Sequence, residues 1–123
     1  MNDTKLLGRF GEAITAEYLR KKGYSILGLN FRTRLGELDV VAADRKYIVF
    51  AEVKLRKDNS FADAREFVTR TKQQRIMAAA QEWMLAHPTE LQPRFDVVEI
   101  YAPDGIATAS PEIRYWENAF GCD

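Results

Sequence analysis

The chain has 123 residues, 46% of them hydrophobic and 29% charged, with 18 Lys/Arg balanced by 18 Asp/Glu. Such a length and composition suit one globular domain over residues 1–123 with a single core, and zero net charge argues against bulk electrostatic binding of nucleic acid. No run of about 18 apolar residues exists, and the lone Cys122 allows neither an internal disulfide nor a cysteine metal cage, so a cytoplasmic protein without membrane association is expected.

The charge is unevenly spread. Residues 32–75 hold 11 Lys/Arg against 7 Asp/Glu, and the remainder holds 7 against 11. The middle of the chain could therefore present a basic rim to phosphates.

From Thr4 to Lys22, Leu6, Leu7, Phe10, Ile14, Tyr18 and Leu19 recur at helical spacing, and Gly23 supplies a stop. Gly8 and Gly11 cost roughly 1 kcal/mol each inside such a helix, which a close approach of backbone or phosphate would justify. Tyr24 to Arg32 reads as a strand, with Arg32 and Arg34 at its end. Two runs rich in β-branched and aromatic residues then flank Asp44-Arg45-Lys46, which predicts a β-hairpin.

A hairpin loop of Arg45-Lys46, or of Asp44 to Tyr47, gives pairs whose numbers sum to 91. Asp39 then faces Glu52 and Glu37 faces Lys54, and alternation puts all four on one face. Leu38, Val40, Ala42, Val49, Ala51 and Val53 fall on the other. Like charges directly opposite are destabilising. A Mg²⁺ or Mn²⁺ ion between Asp39 and Glu52 would remove that conflict, and Lys54 beside it could orient a water or offset charge building on a phosphate. Glu37 is either a third carboxylate or the partner of Lys54.

Arg56 to Arg70 reads as a loop with a short helical turn over Phe61 to Phe67. A second helix is predicted from about Thr71 to Ala86, with Ile76, Ala79, Ala80, Trp83 and Met84 inward and Thr71-x-x-Gln74 as a capping box. Lys72 and Arg75 near its start oppose the helix dipole, a conflict that a bound phosphate would resolve. His87 suits the helix C-terminus. Arg94 to Tyr101 is a further strand, Ile106 to Tyr115 a weaker edge strand, and Trp116 to Phe120 a terminal turn. Both tryptophans read as core.

Asp39 followed by Glu52-Val53-Lys54 resembles the D…(D/E)-x-K signature of restriction-endonuclease-like nucleases. Together with Gly8-Arg9-x-Gly11-Glu12, Gly23-Tyr24, Asn30-x-Arg32, Gly36-Glu37-Leu38-Asp39, Lys54-x-Arg56, Lys72-Gln73 and Arg94-Phe95-Asp96, the chain is similar to the YraN-like family of predicted nucleases, related to Holliday junction resolvases. The resemblance implies a restriction-endonuclease-like core, a mixed central β-sheet flanked by helices. It also implies Mg²⁺ or Mn²⁺ held by Asp39, Glu52 and the Val53 carbonyl, with Glu12 auxiliary. Arg32, Arg56, Lys72, Gln73 and Arg75 become the expected nucleic-acid contacts, and Asp96 is structural.

The expected activity is metal-dependent hydrolysis of DNA, branched or flapped, by an endonuclease or exonuclease. Resolvases act as dimers, so a homodimer is compatible. The alternative is a catalytically silent nucleic-acid-binding or adaptor domain that keeps the fold. Ala51 and Leu55 depart from the family pattern, which has a bulkier apolar residue before Glu52 and a small or polar one after Lys54.

Overall fold

The hairpin forms as its sequence requires. In a computed structural model, which describes residues 3–57 and 68–121, strand β2 (Glu37–Ala43) pairs antiparallel with β3 (Tyr47–Arg56) through Val40↔Ala51, Val41↔Phe50, Ala42↔Val49 and Ala43↔Ile48. This is the predicted register. It is pinned by the Asp44 N–H, which donates to the Tyr47 carbonyl, and by the Asp44 carboxylate, which accepts from Lys46 N and Tyr47 N at 2.8 and 2.7 Å. Those amide donors hold the Asp44 carboxyl below its ordinary range.

Helix α1 (Asp3–Lys21) precedes β1 (Ser25–Arg32), and Gly23 ends the helix at φ +96°, a conformation that favours glycine. Helix α2 (Arg70–Ala86) links β3 to β4 (Gln92–Tyr101), and β5 (Glu112–Phe120) closes the sheet. The strand order is β1-β2-β3-β4-β5, with β3 and β4 parallel and the other neighbours antiparallel. A parallel pair needs a long crossover, and α2 provides it. The protein is thus α/β, with a five-stranded mixed sheet flanked by two helices, as in a restriction-endonuclease-like core.

Each sheet face has its own core. Leu19 of α1 packs on Val40, Ala42, Val49 and Ala51, while Ile76, Ala79, Ala80 and Trp83 of α2 pack on Val41, Ile48, Phe50, Phe95 and Val97. The hairpin face opposite α1 is therefore not an open charged surface. It is apolar under α2, and only its end carries charge.

Three sequence expectations change. The cap of α2 is Thr69, whose hydroxyl accepts from Lys72 N at 3.2 Å, so Thr71 lies inside the helix and forms no capping box. The edge strand expected over Ile106 to Tyr115 starts only at Glu112, after a short 3₁₀ turn at Gly105–Ala107, and residues 116–120 extend it instead of forming a turn. Extension is possible because a register irregularity between Phe95 and Val97 and a positive φ at Asn118 let the strand continue past Asp96, which accepts Asn118 N–H at 2.8 Å. Leu38 joins the α2-side core although Val40 packs under α1, so alternation breaks at Asp39. The turn expected over Phe61 to Phe67, and Cys122, lie outside the described residues.

Candidate metal and phosphate site

Asp39 sits where the β2–β3 ladder ends. Its carboxylate, in place of a backbone carbonyl, accepts the Val53 N–H at 2.8 Å. In an antiparallel pair one residue's N–H and C=O face the same neighbour, so the Val53 carbonyl is also directed toward the Asp39 edge. Burial, then the negative charge of Glu52 and a side-chain hydrogen bond with it, push the Asp39 carboxyl up to about 8, against the pull of the Val53 N–H. Without a cation, Asp39 keeps its proton at neutral pH beside Glu52.

Glu52 is buried, 8% exposed, on the α2 side of β3. Its Oε1 lies 2.6 Å from Lys72 Nζ, a side chain half exposed in the first turn of α2. Burial works to lower the Lys72 pKa, but the hydrogen bond and charge of Glu52 outweigh it and the net shift is upward.

Two hollows flank this region and share Arg32 and Glu37; Asp39 lines one of them, and Lys72, the partner of Glu52, lines the other. On the α1 side, a hollow of about 460 Å³ is lined by Gly8, Glu12, Arg32, Glu37 and Asp39, among others. The Glu12 carboxyl is raised there by burial and by the charge of Glu37, with Arg32 and Arg9 opposing. On the α2 side, a cleft of about 450 Å³ carries Arg32, Arg34, Lys72 and Arg75 around the β1–β2 turn. The Arg32–Glu37 ion pair, 3.6 Å and exposed, borders both hollows.

Hydrogen bonds from one side chain close the turn that shapes this cleft. The Thr33 hydroxyl accepts from Leu35 N and Gly36 N and bonds the Gly36 carbonyl. A Cβ on Gly36 would stand 2.5 Å from the Arg75 carbonyl oxygen, so only glycine lets the turn lie against α2. At Gly11 a Cβ would be 3.1 Å from Val53 Cγ1 and 3.7 Å from Leu55 Cδ1, which accounts for that glycine and places Leu55 as its packing partner. Gly8 has nothing within 4 Å and keeps the α1-side hollow open.

The predicted site residues divide. Glu12, Glu37 and Asp39 line the α1-side hollow, Val53 is bonded to Asp39 and Glu52 to Lys72, and Arg32, Lys72 and Arg75 line the basic cleft. Lys54 is exposed and makes no ion pair among the described residues, so Glu37 has Arg32 as its partner rather than Lys54. Arg56 is turned from the cleft into Glu99, with Nε 2.6 Å from Oε2 of that fully buried carboxylate. Gln73 gives its side-chain N–H to the Val68 carbonyl at 2.9 Å, a helix-end support.

Among the described residues no three Asp, Glu, His or Cys side chains are set to hold a metal ion, so Glu12 and Glu37 do not join Asp39 and Glu52 in one cage. Two carboxylates and one carbonyl nevertheless fit Mg²⁺ or Mn²⁺, which keep several waters beside one or two carboxylates. The Asp39 carboxyl, raised first by burial and then by the charge of Glu52, favours the fit, because a divalent cation beside it would offset both.

With this geometry in place, comparison with known proteins decides the family. The model of the uncharacterised protein family UPF0102 matches residues 11–100. The chain belongs to the UPF0102 family. This UPF0102 protein is 42% identical over 120 residues to a UPF0102 protein of Geotalea daltonii, covering 97% of the present chain and 92% of the relative. It is 43% identical over 119 residues to one of Syntrophotalea carbinolica, covering 95% and 93%. A UPF0102 protein of Caldanaerobacter subterraneus is 44% identical over 98 residues, covering 79% and 80%. The YraN-like resemblance points to this same family.

Two features of the UPF0102 chain escaped the sequence reading. Lys72 was expected at a phosphate, and its bond to Glu52 joins residues 20 apart on different elements. Glu99 is a lone carboxylate in the apolar run Val97-Val98-Glu99-Ile100, and a charge in such a run signals a buried ion pair. The structural role expected for Asp96 holds: it is fully buried and binds Arg94 Nε, Arg94 Nη2 and the Tyr115 hydroxyl at 2.9, 2.8 and 2.6 Å. Burial and the Asp96 charge raise the Tyr115 pKa. Trp83 is core, and His87 caps α2, donating its N–H to the Trp83 carbonyl. Among the described residues no helix is long and apolar enough to cross a membrane.

Proposed function

We propose that this UPF0102 protein is a metal-dependent nuclease hydrolysing phosphodiester bonds in DNA, with branched or flapped DNA as its substrate. The observation that carries the reading is the carboxylate pair of half-buried Asp39 and buried Glu52, with Asp39 pushed up to about 8 and lining a carboxylate-rich hollow while Glu52 is bound to Lys72 of a basic cleft. Asp39, Glu52 and the Val53 carbonyl would hold Mg²⁺ or Mn²⁺, which when bound supplies Lewis-acid activation of the phosphate and a lowered water pKa. Arg32, Arg34, Lys72 and Arg75 would position the phosphate backbone by charge-assisted hydrogen bonds. Lys54, on a flexible and exposed stem, would reach the reacting phosphate to orient water or offset charge.

The adaptor reading gains from one observation. Lys72 already satisfies Glu52 at 2.6 Å, so the pair can persist in a protein that binds DNA without cutting it. Cleavage of labelled single-stranded, duplex, flapped and four-way-junction DNA in Mn²⁺, Mg²⁺ or EDTA separates the two readings. Asp39→Asn and Lys54→Ala, each checked for folding by circular dichroism, should abolish metal-dependent cutting. Binding without cleavage on every substrate and metal would replace the nuclease with the adaptor.

A further inference from the structure

Lys72 belongs to two sites at once. Its ammonium lies 2.6 Å from Glu52 Oε1, and the same side chain lines the basic cleft with Arg32, Arg34 and Arg75. It stands in the first turn of α2, where N–H groups converge and a positive side chain opposes the helix dipole. The contact with Glu52 offsets that cost, so the lysine's place depends on the carboxylate being available to it.

Glu52 cannot serve two cations equally. A Mg²⁺ ligand oxygen lies about 2.1 Å from the ion, and an ammonium on the same carboxylate would then face a dication a few ångströms away. Their repulsion, and competition for one negative charge, favour departure of the lysine. Departure needs no backbone movement, because the four-carbon stem is half exposed and opens onto the cleft. There a phosphate would meet Lys72 together with Arg32, Arg34 and Arg75.

We infer that Lys72 is a shuttle cation: it neutralises Glu52 while the centre lacks its divalent ion and turns to a substrate phosphate when the ion is bound, coupling the two binding events. The inference rests on the metal-dependent reading above. Lys72 acts here as a positioning residue through Glu52, and the coupling is reciprocal by linkage. Metal tightens DNA by the factor by which DNA tightens metal.

The test measures Mn²⁺ affinity by electron paramagnetic resonance and calorimetry, with and without a cleavage-resistant phosphorothioate flap DNA, for wild type, Lys72→Met and Lys72→Arg. Met keeps the apolar stem and removes the charge. Without DNA, Lys72→Met should bind Mn²⁺ about fivefold or more tighter than wild type. DNA should tighten Mn²⁺ by about fivefold or more in wild type, the low end of ordinary coupling, and by a clearly smaller factor in Lys72→Met, where only direct contact between ion and phosphate remains. Lys72→Arg should retain the coupling. Equal or weaker Mn²⁺ binding by folded Lys72→Met would overturn the shuttle and make Lys72 a fixed support of Glu52. Undiminished coupling in that variant would overturn it as well. If neither wild type nor variant binds Mn²⁺, the metal reading itself fails and the shuttle falls with it.

Discussion

A carboxyl group that keeps its proton near neutral pH in a folded protein, but loses it near pH 4 when unfolded, makes the native state bind the extra proton. Asp39 is in that position, raised to about 8 by burial and by Glu52. Its contribution therefore favours folding at low pH and is lost as pH rises from about 4 to about 8, by up to about 1.4 kcal/mol per pH unit. Asp39→Asn cannot ionise, so in EDTA its stability should fall less than wild type over that window, leaving it the more stable protein at pH 8. Urea unfolding at pH 5 and pH 8 reads this directly, and parallel pH slopes would contradict it. The same residue shows what the sequence could convey. Register arithmetic set Asp39 against Glu52, but the proton state follows from burial, which spacing does not encode.

Between elements, close approach decides which glycines matter. The Gly36 position abuts the Arg75 carbonyl, so Gly36→Ala must part the β1–β2 turn from α2. A loss of about 1–3 kcal/mol is expected, the usual cost of overpacking. DNA binding should weaken too, because the turn and α2 form the basic cleft between them. Gly8→Ala meets open space in α1 and should raise the melting temperature by relieving a helix penalty of about 1 kcal/mol. Differential scanning calorimetry of both variants, paired with fluorescence-anisotropy binding, tests the contrast. Sequence reasoning flagged Gly8 and Gly11 alike as exceptional, yet only Gly11 proves to be a packing glycine. Which strand a helix glycine meets is a tertiary fact.

The Arg56–Glu99 pair ties the carboxyl ends of the two parallel strands together, β3 to β4. Removing Arg56 alone strands a buried carboxylate, so Arg56→Ala should cost about 3–5 kcal/mol, whereas Arg56→Met with Glu99→Met should recover most of it. Chemical denaturation of the single and double variants distinguishes this from a DNA-contact role, which would leave stability within about 0.5 kcal/mol of wild type.

For the whole molecule, a divalent ion that binds the folded chain alone raises its stability by about 2.7 kcal/mol at a concentration 100 times Kd. Mn²⁺ should therefore raise the melting temperature of wild type at pH 8, where Asp39 gives up its proton more readily. The shift should disappear in Asp39→Asn. Thermal scans against EDTA measure it, and an equal shift in both proteins would place the ion elsewhere.

By itself the sequence determined the element order and the hairpin register, because turn chemistry and period-two patterning act over a few residues and leave a local trace. It misread residues 116–120 as a turn, since their strand depends on pairing with β4 and on Asp96 holding Asn118. Only the tertiary structure decided that α2 covers the hairpin's second face, that Lys72 reaches Glu52, that Lys54 faces solvent and that Arg56 serves Glu99. Those outcomes are set by how helices cross a twisted sheet and by where charges find partners across distant segments, and neither is written in local spacing.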